Sequence, residues 1–336
     1  MNNAEMKAVV WNGGSDVLVT TVSRPGQVPG RALVAPKYVG LCGTDLHICS
    51  GHHPRAQPGL VLGHEIVGEL VHDSNNLPAG TNVFVNPLIT CGQCDACTRG
   101  LSHVCDRLGL IGIDQPGGAA ELVSVPSDSV TPLRKDLNLK TAALIEPVAV
   151  VLHAARRSGF AIGDVAHVIG AGPIGLLMAL ILRQAGAARV TISEPSTLRA
   201  KTAHSFDFEV VDIPPTPKVD FVFDCTGHPS VSSTLTSWVR TGGTLMLVGV
   251  YPGVVELNLQ ELLFREMTVR TARVYSDTDI AAAVSLISES RIPGVERLVS
   301  ATFPMEQVEA AIQGLNSGKE LKVLLAVGES CGLWSN

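Results

Sequence analysis

Val165-Ala166-His167-Val168-Ile169-Gly170-Ala171-Gly172-Pro173-Ile174-Gly175 decides how this chain folds. Five mostly apolar residues predict a strand. Three glycines in G-x-G-x-x-G spacing follow, and the apolar run over 174–184 predicts the helix they open. The glycine pattern alone is weak. Strand, glycine turn and helix in that order are what a dinucleotide cradle requires. Gly170 suits the tight turn, Gly172 lets the backbone approach a pyrophosphate, and Gly175 allows close helix–strand packing. The pyrophosphate would rest on the helix N-terminus, at Pro173 and Ile174, where free N–H groups and the dipole favour anions. Glu194 ends the next predicted strand, about twenty residues on, where a carboxylate takes the ribose hydroxyls. A carboxylate there repels a 2′-phosphate, so NAD is expected over NADP. Arg199, one turn into the following helix, weakens that preference because it offers a phosphate partner.

Outward from this unit, strands and helices alternate. Strands are predicted over 189–193, 219–224, 244–250 and 267–273, and helices over 197–204, 230–240 and 277–288. Such alternation marks a doubly wound parallel sheet. Upstream the texture differs. Apolar or alternating segments at 7–11, 32–36, 65–71, 82–85 and 120–125 stand between Gly/Pro turns and predict a β-rich domain. The change comes near Glu146-Pro147, where a helical run over 148–157 begins. A last helix, 305–315, and strand, 321–327, close the chain.

Length and composition narrow the function. The 336 residues suffice for two cores. Hydrophobic residues at 46% and charged residues at 17% are ordinary for a soluble globular protein. A net charge of −6 with no Lys/Arg run argues against a nucleic-acid surface. No apolar stretch is long enough to span a membrane. Met1-Asn2-Asn3-Ala4-Glu5-Met6 lacks the basic region and apolar core of a signal peptide. A reducing cytoplasm is expected, where clustered cysteines favour metal over disulfides.

Half of the eight cysteines lie in one loop: Cys91, Cys94, Cys97 and Cys105, spaced C-x2-C-x2-C-x7-C. Four thiolates this close can enclose one ion tetrahedrally, the form of a closed structural zinc site. Two-residue gaps strain the rival reading of local disulfides. A second constellation is dispersed. Cys42 opens Cys42-Gly43-Thr44-Asp45-Leu46-His47, Gly63-His64-Glu65 follows, and Glu146-Pro147 comes later. Cys42, His64 and Glu65 or Glu146 offer the S, N and O ligands of an open catalytic zinc. Such a zinc polarises a carbonyl or lowers the pKa of an alcohol. Asp45 is placed to accept the second ring N–H of His64, and Thr44 and His47 to pass the alcohol proton to solvent.

These motifs, in this order, resemble the zinc-dependent medium-chain dehydrogenase/reductases, the alcohol and polyol dehydrogenase superfamily. The resemblance spans nearly the whole chain. It implies a GroES-like β-rich catalytic domain over 1–150 and 275–336, interrupted by a Rossmann NAD-binding domain over 151–274. It also implies that Thr226, Val248 and Gly249 lie along the cofactor. Glu146-Pro147-Val148-Ala149-Val150-Val151-Leu152-His153 is similar to the sorbitol/2,3-butanediol dehydrogenase branch. Members of that branch differ on whether the carboxylate matching Glu65 or Glu146 binds zinc. They often set an arginine, here Arg273, by a substrate hydroxyl. The stretch 71–81 is shorter than usual. The loop 51–58 lacks the aromatics common in sorbitol dehydrogenases, which argues against sorbitol. There His52 and His53 read more readily as exposed loop residues than as substrate contacts. The expectation is a homo-oligomeric dehydrogenase, dimer or tetramer, with two Zn2+ per chain, oxidising a small polyol or vicinal diol with NAD. The rivals are a threonine or amino-alcohol dehydrogenase and a non-catalytic nucleotide sensor on the same scaffold.

Overall fold

The computed structural model describes residues 5–327, so part of the Met1–Met6 reading and the tail of the 275–336 segment lie outside the described residues. The chain divides into two compact units. The first holds β1 (Glu5–Gly13), β2 (Asp16–Ser23), β3 (Arg31–Leu41), α1 (Gly43–Cys49), β4 (Leu60–Val61) and β5 (Glu65–Leu70). It continues with β6 (Asn82–Val85), β7 (Leu88–Ile89), α2 (Asp95–Thr98), β8 (Gly109–Leu110), β9 (Val123–Pro126), β10 (Val130–Pro132) and α3 (Leu139–Ala142). The chain leaves it between Glu146 and Pro147, in the first turn of α4 (Ile145–Ser158). The second unit adds β11 (Val165–Ile169), α5 (Pro173–Gln184), β12 (Arg189–Ser193), α6 (Thr197–Ser205), β13 (Glu209–Val210) and β14 (Val219–Asp224). Then come α7 (Pro229–Ser232), α8 (Leu235–Trp238), β15 (Val239–Leu247), α9 (Leu259–Phe264), β16 (Thr268–Thr271) and α10 (Asp277–Ser288). Finally β17 (Val299–Pro304), α11 (Val308–Asn316) and β18 (Lys322–Ala326) return to the first unit.

In the first unit the main sheet runs β10-β6-β5-β3-β18-β17, with β9 also on β3. The C-terminal β18 therefore lies inside the sheet, antiparallel to β3 and parallel to β17. Alternating residues of β3, β5, β6 and β9 bury Val34, Ile66, Val83, Val85, Val123 and Val125 in one cluster. The short stretch 71–81 closes as a tight turn, with Asn75 and Asn76 both left-handed and Ser74 and Leu77 exchanging backbone bonds. Two consecutive positive φ values are the type I′ geometry, which asparagine tolerates best among non-glycine residues. Among the described residues no helix is long and apolar enough to cross a membrane.

The second unit is one parallel sheet in the order β13-β12-β11-β14-β15-β16. The order reverses direction between β11 and β14, the switch point at which such sheets bind dinucleotides. Two differences from sequence expectation have identifiable causes. The helix expected over 230–240 is two single turns, and Val239 already starts β15. Here Ser232, Thr234 and Ser237 donate their hydroxyls to carbonyls three residues back, the local competition that weakens helices. The segment after 274 does not pass at once to the first unit; α10 belongs to the second as far as Leu286. Asp279 ties it there. Its carboxylate accepts from Ser276, from Arg156 at 2.6 Å and pairs with His153 at 2.8 Å, both on α4.

His167 sits in the centre of this sheet. It is fully buried, stacked on Trp238 with centroids 4.0 Å apart, and its ring nitrogens meet Thr191 Oγ1 and Ser193 Oγ. Burial lowers its pKa to about 3. The unfolded chain therefore takes up this proton below about pH 6.5, whereas the folded chain does not until about pH 3. Stability is complete above the unfolded pKa and drains away as pH falls through this window. Between pH 7 and pH 5 the expected loss is about 2 kcal/mol. His167→Gln, which does not titrate, removes this part of the loss. Denaturant melts of both proteins at the two pH values check it, and parallel losses refute it.

Candidate metal centres and dinucleotide cradle

The dispersed constellation is assembled by a helix that the sequence reading did not place. Cys42 is the N-cap of α1. Its Sγ accepts from Thr44 N at 3.2 Å, and Asp45, at the third helical position, accepts from Cys42 N at 2.9 Å. This is a capping box with sulfur in place of oxygen. The legible signal was the aspartate three residues after the cap. The same turn leaves Thr44 partly exposed and His47 exposed, one helical turn apart. Gly63, at φ +93, turns the chain so that His64, just before β5, and Glu65, its first residue, reach Cys42.

Cys42 Sγ and His64 Nε2 lie 3.0 Å apart, and a Glu65 oxygen comes within 4.8 Å of both. The cluster is buried: Asp45 and Glu65 are each 1% exposed. Asp45 Oδ1 lies 3.7 Å from His64 Nδ1, the side turned away from the sulfur. Burial opposes charge on His64, but the negative Cys42 and Asp45 outweigh it and hold its pKa well above the ordinary value. Sulfur, nitrogen and oxygen donors converging where negative charge is in excess fit a zinc ion. Glu146 is buried in the first turn of α4. Its charge reaches His64 and Lys322, but its carboxylate is not among the converging atoms.

Glu65 has a second partner that the sequence reading missed. Lys322, from β18, is 2% exposed and places Nζ 2.5 Å from the Glu65 carboxylate and 3.1 Å from the Leu41 carbonyl. Burial works against its charge, yet Glu65 and Cys42 raise its pKa. Gly40 makes room, since a Cβ there would stand 1.9 Å from Glu65 Oε2. No signal near residue 322 could have announced this pairing, because it is made only when β18 enters the sheet.

The four cysteines of the lobe also converge. Cys91 and Cys97 sulfurs are 4.0 Å apart, Cys94 and Cys105 sulfurs 3.8 Å, and all four lie within 4.8 Å of one another. Tetrahedral zinc with bonds of about 2.3 Å sets its sulfurs about 3.8 Å apart, whereas a disulfide needs about 2.05 Å. All four are free thiols here, so the disulfide reading fails. The N–H of Gln93 pulls Cys91 down to about 6, while desolvation and the neighbouring sulfurs push Cys97 up to about 12. A dication would relieve that mutual repulsion.

In the second unit each glycine of the cradle has a separate geometric reason. Gly170 is left-handed at φ +97. A Cβ on Gly175 would lie 1.9 Å from the Gly170 carbonyl, so helix and turn touch there. A Cβ on Gly172 would meet nothing within 4 Å, which is open room above the α5 N-terminus. Pro173 and Ile174 form the first turn of α5. Glu194 stands at the end of β12, buried, but its oxygens accept from Ala171 N at 2.8 Å and Ser196 N at 2.9 Å. It braces the glycine loop from the end of β12. Arg199 is partly exposed in the first turn of α6. Thr226 follows β14, and Val248 and Gly249 follow β15. Arg273 is exposed two residues beyond β16, not on a strand. It precedes Val274, whose φ of +47 is rare for a β-branched residue. His52 is exposed and meets Ser50 Oγ, while His53 is half-buried and accepts from Arg55 N and Ala56 N.

Two known family patterns match the chain: the alcohol dehydrogenase GroES-like domain over residues 28–135 and the zinc-binding dehydrogenase pattern over 173–289. L-galactonate-5-dehydrogenase of Escherichia coli K12 is 34% identical over 283 residues, 79% of this chain and 83% of that protein. Among solved structures, a protein described as a zinc-binding dehydrogenase from Sinorhizobium meliloti 1021, bound to NADP, superposes with a TM-score of 0.90. It is 29% identical and covers 96% of this chain and 100% of its own. The 2R,3R-butanediol dehydrogenase of Bacillus subtilis superposes with a TM-score of 0.87, at 27% identity and the same coverages.

Lys322→Met leaves the buried Glu65 carboxylate without its cation. Removing one partner of a buried pair costs about 3–5 kcal/mol. The expected result is a large drop in denaturation midpoint, partly recovered in the double variant Glu65→Gln/Lys322→Met. A single variant as stable as the parent would refute this account of the pair.

Proposed function

From a chain that belongs to the zinc-binding alcohol dehydrogenase family, and is an oxidoreductase of the alcohol/polyol class, we propose a specific reaction. It oxidises a secondary hydroxyl of a polyol, vicinal diol or polyhydroxy acid to a ketone, with NAD taking the hydride. The observation that carries this is the buried convergence of Cys42, His64 and Glu65 in a chain that also builds a dinucleotide cradle. A nucleotide sensor has no use for the first, and a structural metal site has no use for the second. The substrate class is supported by the names of the galactonate and butanediol dehydrogenases to which the chain is similar.

Each residue has a role in this reading. Cys42, His64 and Glu65 hold the catalytic zinc, with Glu146 close behind. Zinc supplies Lewis acidity that polarises the substrate oxygen and lowers its pKa. Asp45 orients His64 through the ring edge facing away from the sulfur. Thr44 takes the hydroxyl proton and His47, exposed one turn on, passes it to solvent. Arg273 meets a second substrate oxygen. Gly170 to Gly175 seat the pyrophosphate, Glu194 faces the ribose, and Thr226, Val248 and Gly249 line the rest of the cofactor. The Cys91, Cys94, Cys97 and Cys105 lobe holds a structural zinc.

An exposed edge supports assembly. Among the described residues β16 ends the sheet with all four of its residues exposed, and Leu259, Leu263 and Phe264 on α9 expose apolar side chains. Long open edges and apolar patches invite pairing, and the occupant proposed is a second copy of this chain. Phe264→Glu should reduce the mass measured by sedimentation. A parent that sediments as a monomer would overturn the assembly reading.

Metal analysis of the purified chain should approach two zinc ions, and the lobe zinc should resist a chelator longer because its site is closed. Cys42→Ser should fold and bind cofactor yet lose nearly all turnover. Cys97→Ser should lose stability with turnover per folded molecule far less affected. The reverse pattern would exchange the two sites. An NADH-absorbance screen across polyols, diols, sugar acids and threonine names the substrate. NAD should outperform NADP by about tenfold or more, which is about 1.4 kcal/mol. Equal use of both would refute the role given to Glu194.

A further inference from the structure

Asp224, the last residue of β14, is fully buried, and no Lys or Arg pairs with it among the described residues. Four donors converge on its carboxylate: Thr226 N at 3.0 Å, Thr226 Oγ1 at 2.6 Å, Gly227 N at 3.3 Å and Tyr251 Oη at 2.7 Å. Its backbone carbonyl accepts from Val248 N and Gly249 N, both at 2.9 Å. One residue thus binds the loop after β14 to the loop after β15.

Those loops are in backbone contact. A Cβ on Gly249 would lie 2.1 Å from Gly227 N, and one on Gly227 would lie 2.5 Å from the Val250 carbonyl. A Cβ on Gly170 would stand 2.7 Å from Thr226 Cγ2, so the floor is continuous with the glycine cradle. It spans the C-terminal ends of β11, β14 and β15. In a doubly wound sheet one half of the dinucleotide takes the β12 side, where Glu194 stands, and the other takes the side of β14 and β15. That second half carries the nicotinamide.

Four donors on two oxygens call for a carboxylate, because a neutral amide offers only one accepting oxygen. The charge that comes with it is buried without a Lys or Arg among the described residues, and a buried charge without a cation is costly. The ring of the oxidised cofactor is a cation, and reduction removes its charge. We propose that Asp224 is a positioning residue that sets both loops under the nicotinamide and whose buried negative charge favours the oxidised over the reduced cofactor. Tyr251 moderates it by donating to the carboxylate. Burial and Asp224 together raise the Tyr251 pKa, as a neighbouring anion should. The proposal rests on the cofactor reading above, for which Thr226, Val248 and Gly249 line the dinucleotide.

The experiment measures dissociation constants for NAD+ and NADH by fluorescence titration and competition, on the zinc-loaded parent, Asp224→Asn and Tyr251→Phe. Thermal melts report folding. In Asp224→Asn the ratio of the NAD+ to the NADH constant should rise about fivefold, equivalent to about 1 kcal/mol. A merely structural role weakens both forms alike. A ratio that stays within about twofold of the parent overturns the proposal. If Asp224→Asn does not fold, Tyr251→Phe decides. With the carboxylate less satisfied its ratio should fall, and an unchanged or raised ratio overturns the proposal. A parent that binds neither form refutes the cofactor reading itself. Preference for the 2′-phosphorylated pair refutes only the role given to Glu194, and the same ratio is then read with that pair.

Discussion

A lysine and a glutamate, both withdrawn from water, hold the first unit together at its most sensitive point. Lys322 and Glu65 are separated by 257 residues of sequence and 2.5 Å of space. Each alone would be a buried charge at severe cost. Together, with the Leu41 carbonyl as a further acceptor, they permit an anionic cluster to form in an apolar sheet. The pair also explains why the chain must return. Without β18 the sheet has no strand between β3 and β17, and Glu65 has no cation.

The same economy of charge recurs through the molecule. Cys42, Asp45, Glu65 and Glu146 bring negative charge into one region, and His64 and Lys322, both with raised pKa values, answer it. In the lobe the neighbouring sulfurs divide their protons unevenly, Cys91 held at about 6 and Cys97 pushed up to about 12. Asp224 repeats the theme in the second unit, as a fully buried carboxylate held by four hydrogen-bond donors. The converging sulfur, imidazole and carboxylate donors suit a zinc ion.

Neutral burial is handled differently. His167 lies in the middle of a parallel sheet, where an apolar residue is ordinary. Two hydroxyls satisfy its nitrogens and Trp238 covers its face. The arrangement suits only the uncharged ring. Asp279 shows the opposite solution, a buried carboxylate surrounded by Ser276, His153 and Arg156, which fastens α10 to α4. That fastening carried α10 into the second unit, beyond the boundary expected at 274.

What the sequence determined by itself was whatever is local. The glycine spacing after β11, the cysteine spacing of the lobe and the alternation of strands with helices are set within a few residues or by repeated periodicity, and all were legible. The helix expected over 230–240 misled because its apolar spacing is helical while three of its hydroxyls bond locally instead. The cap at Cys42 escaped notice because sulfur stands where oxygen is usual. Tertiary structure decided which groups meet across the chain. It put Glu65 with Cys42 and His64, gave Glu65 to Lys322, set Trp238 on His167, and closed the loop of Tyr251 onto Asp224. Spacing along a chain constrains neighbours in sequence, but a buried charge finds its partner only when strands far apart in sequence pair, and no local pattern encodes that meeting.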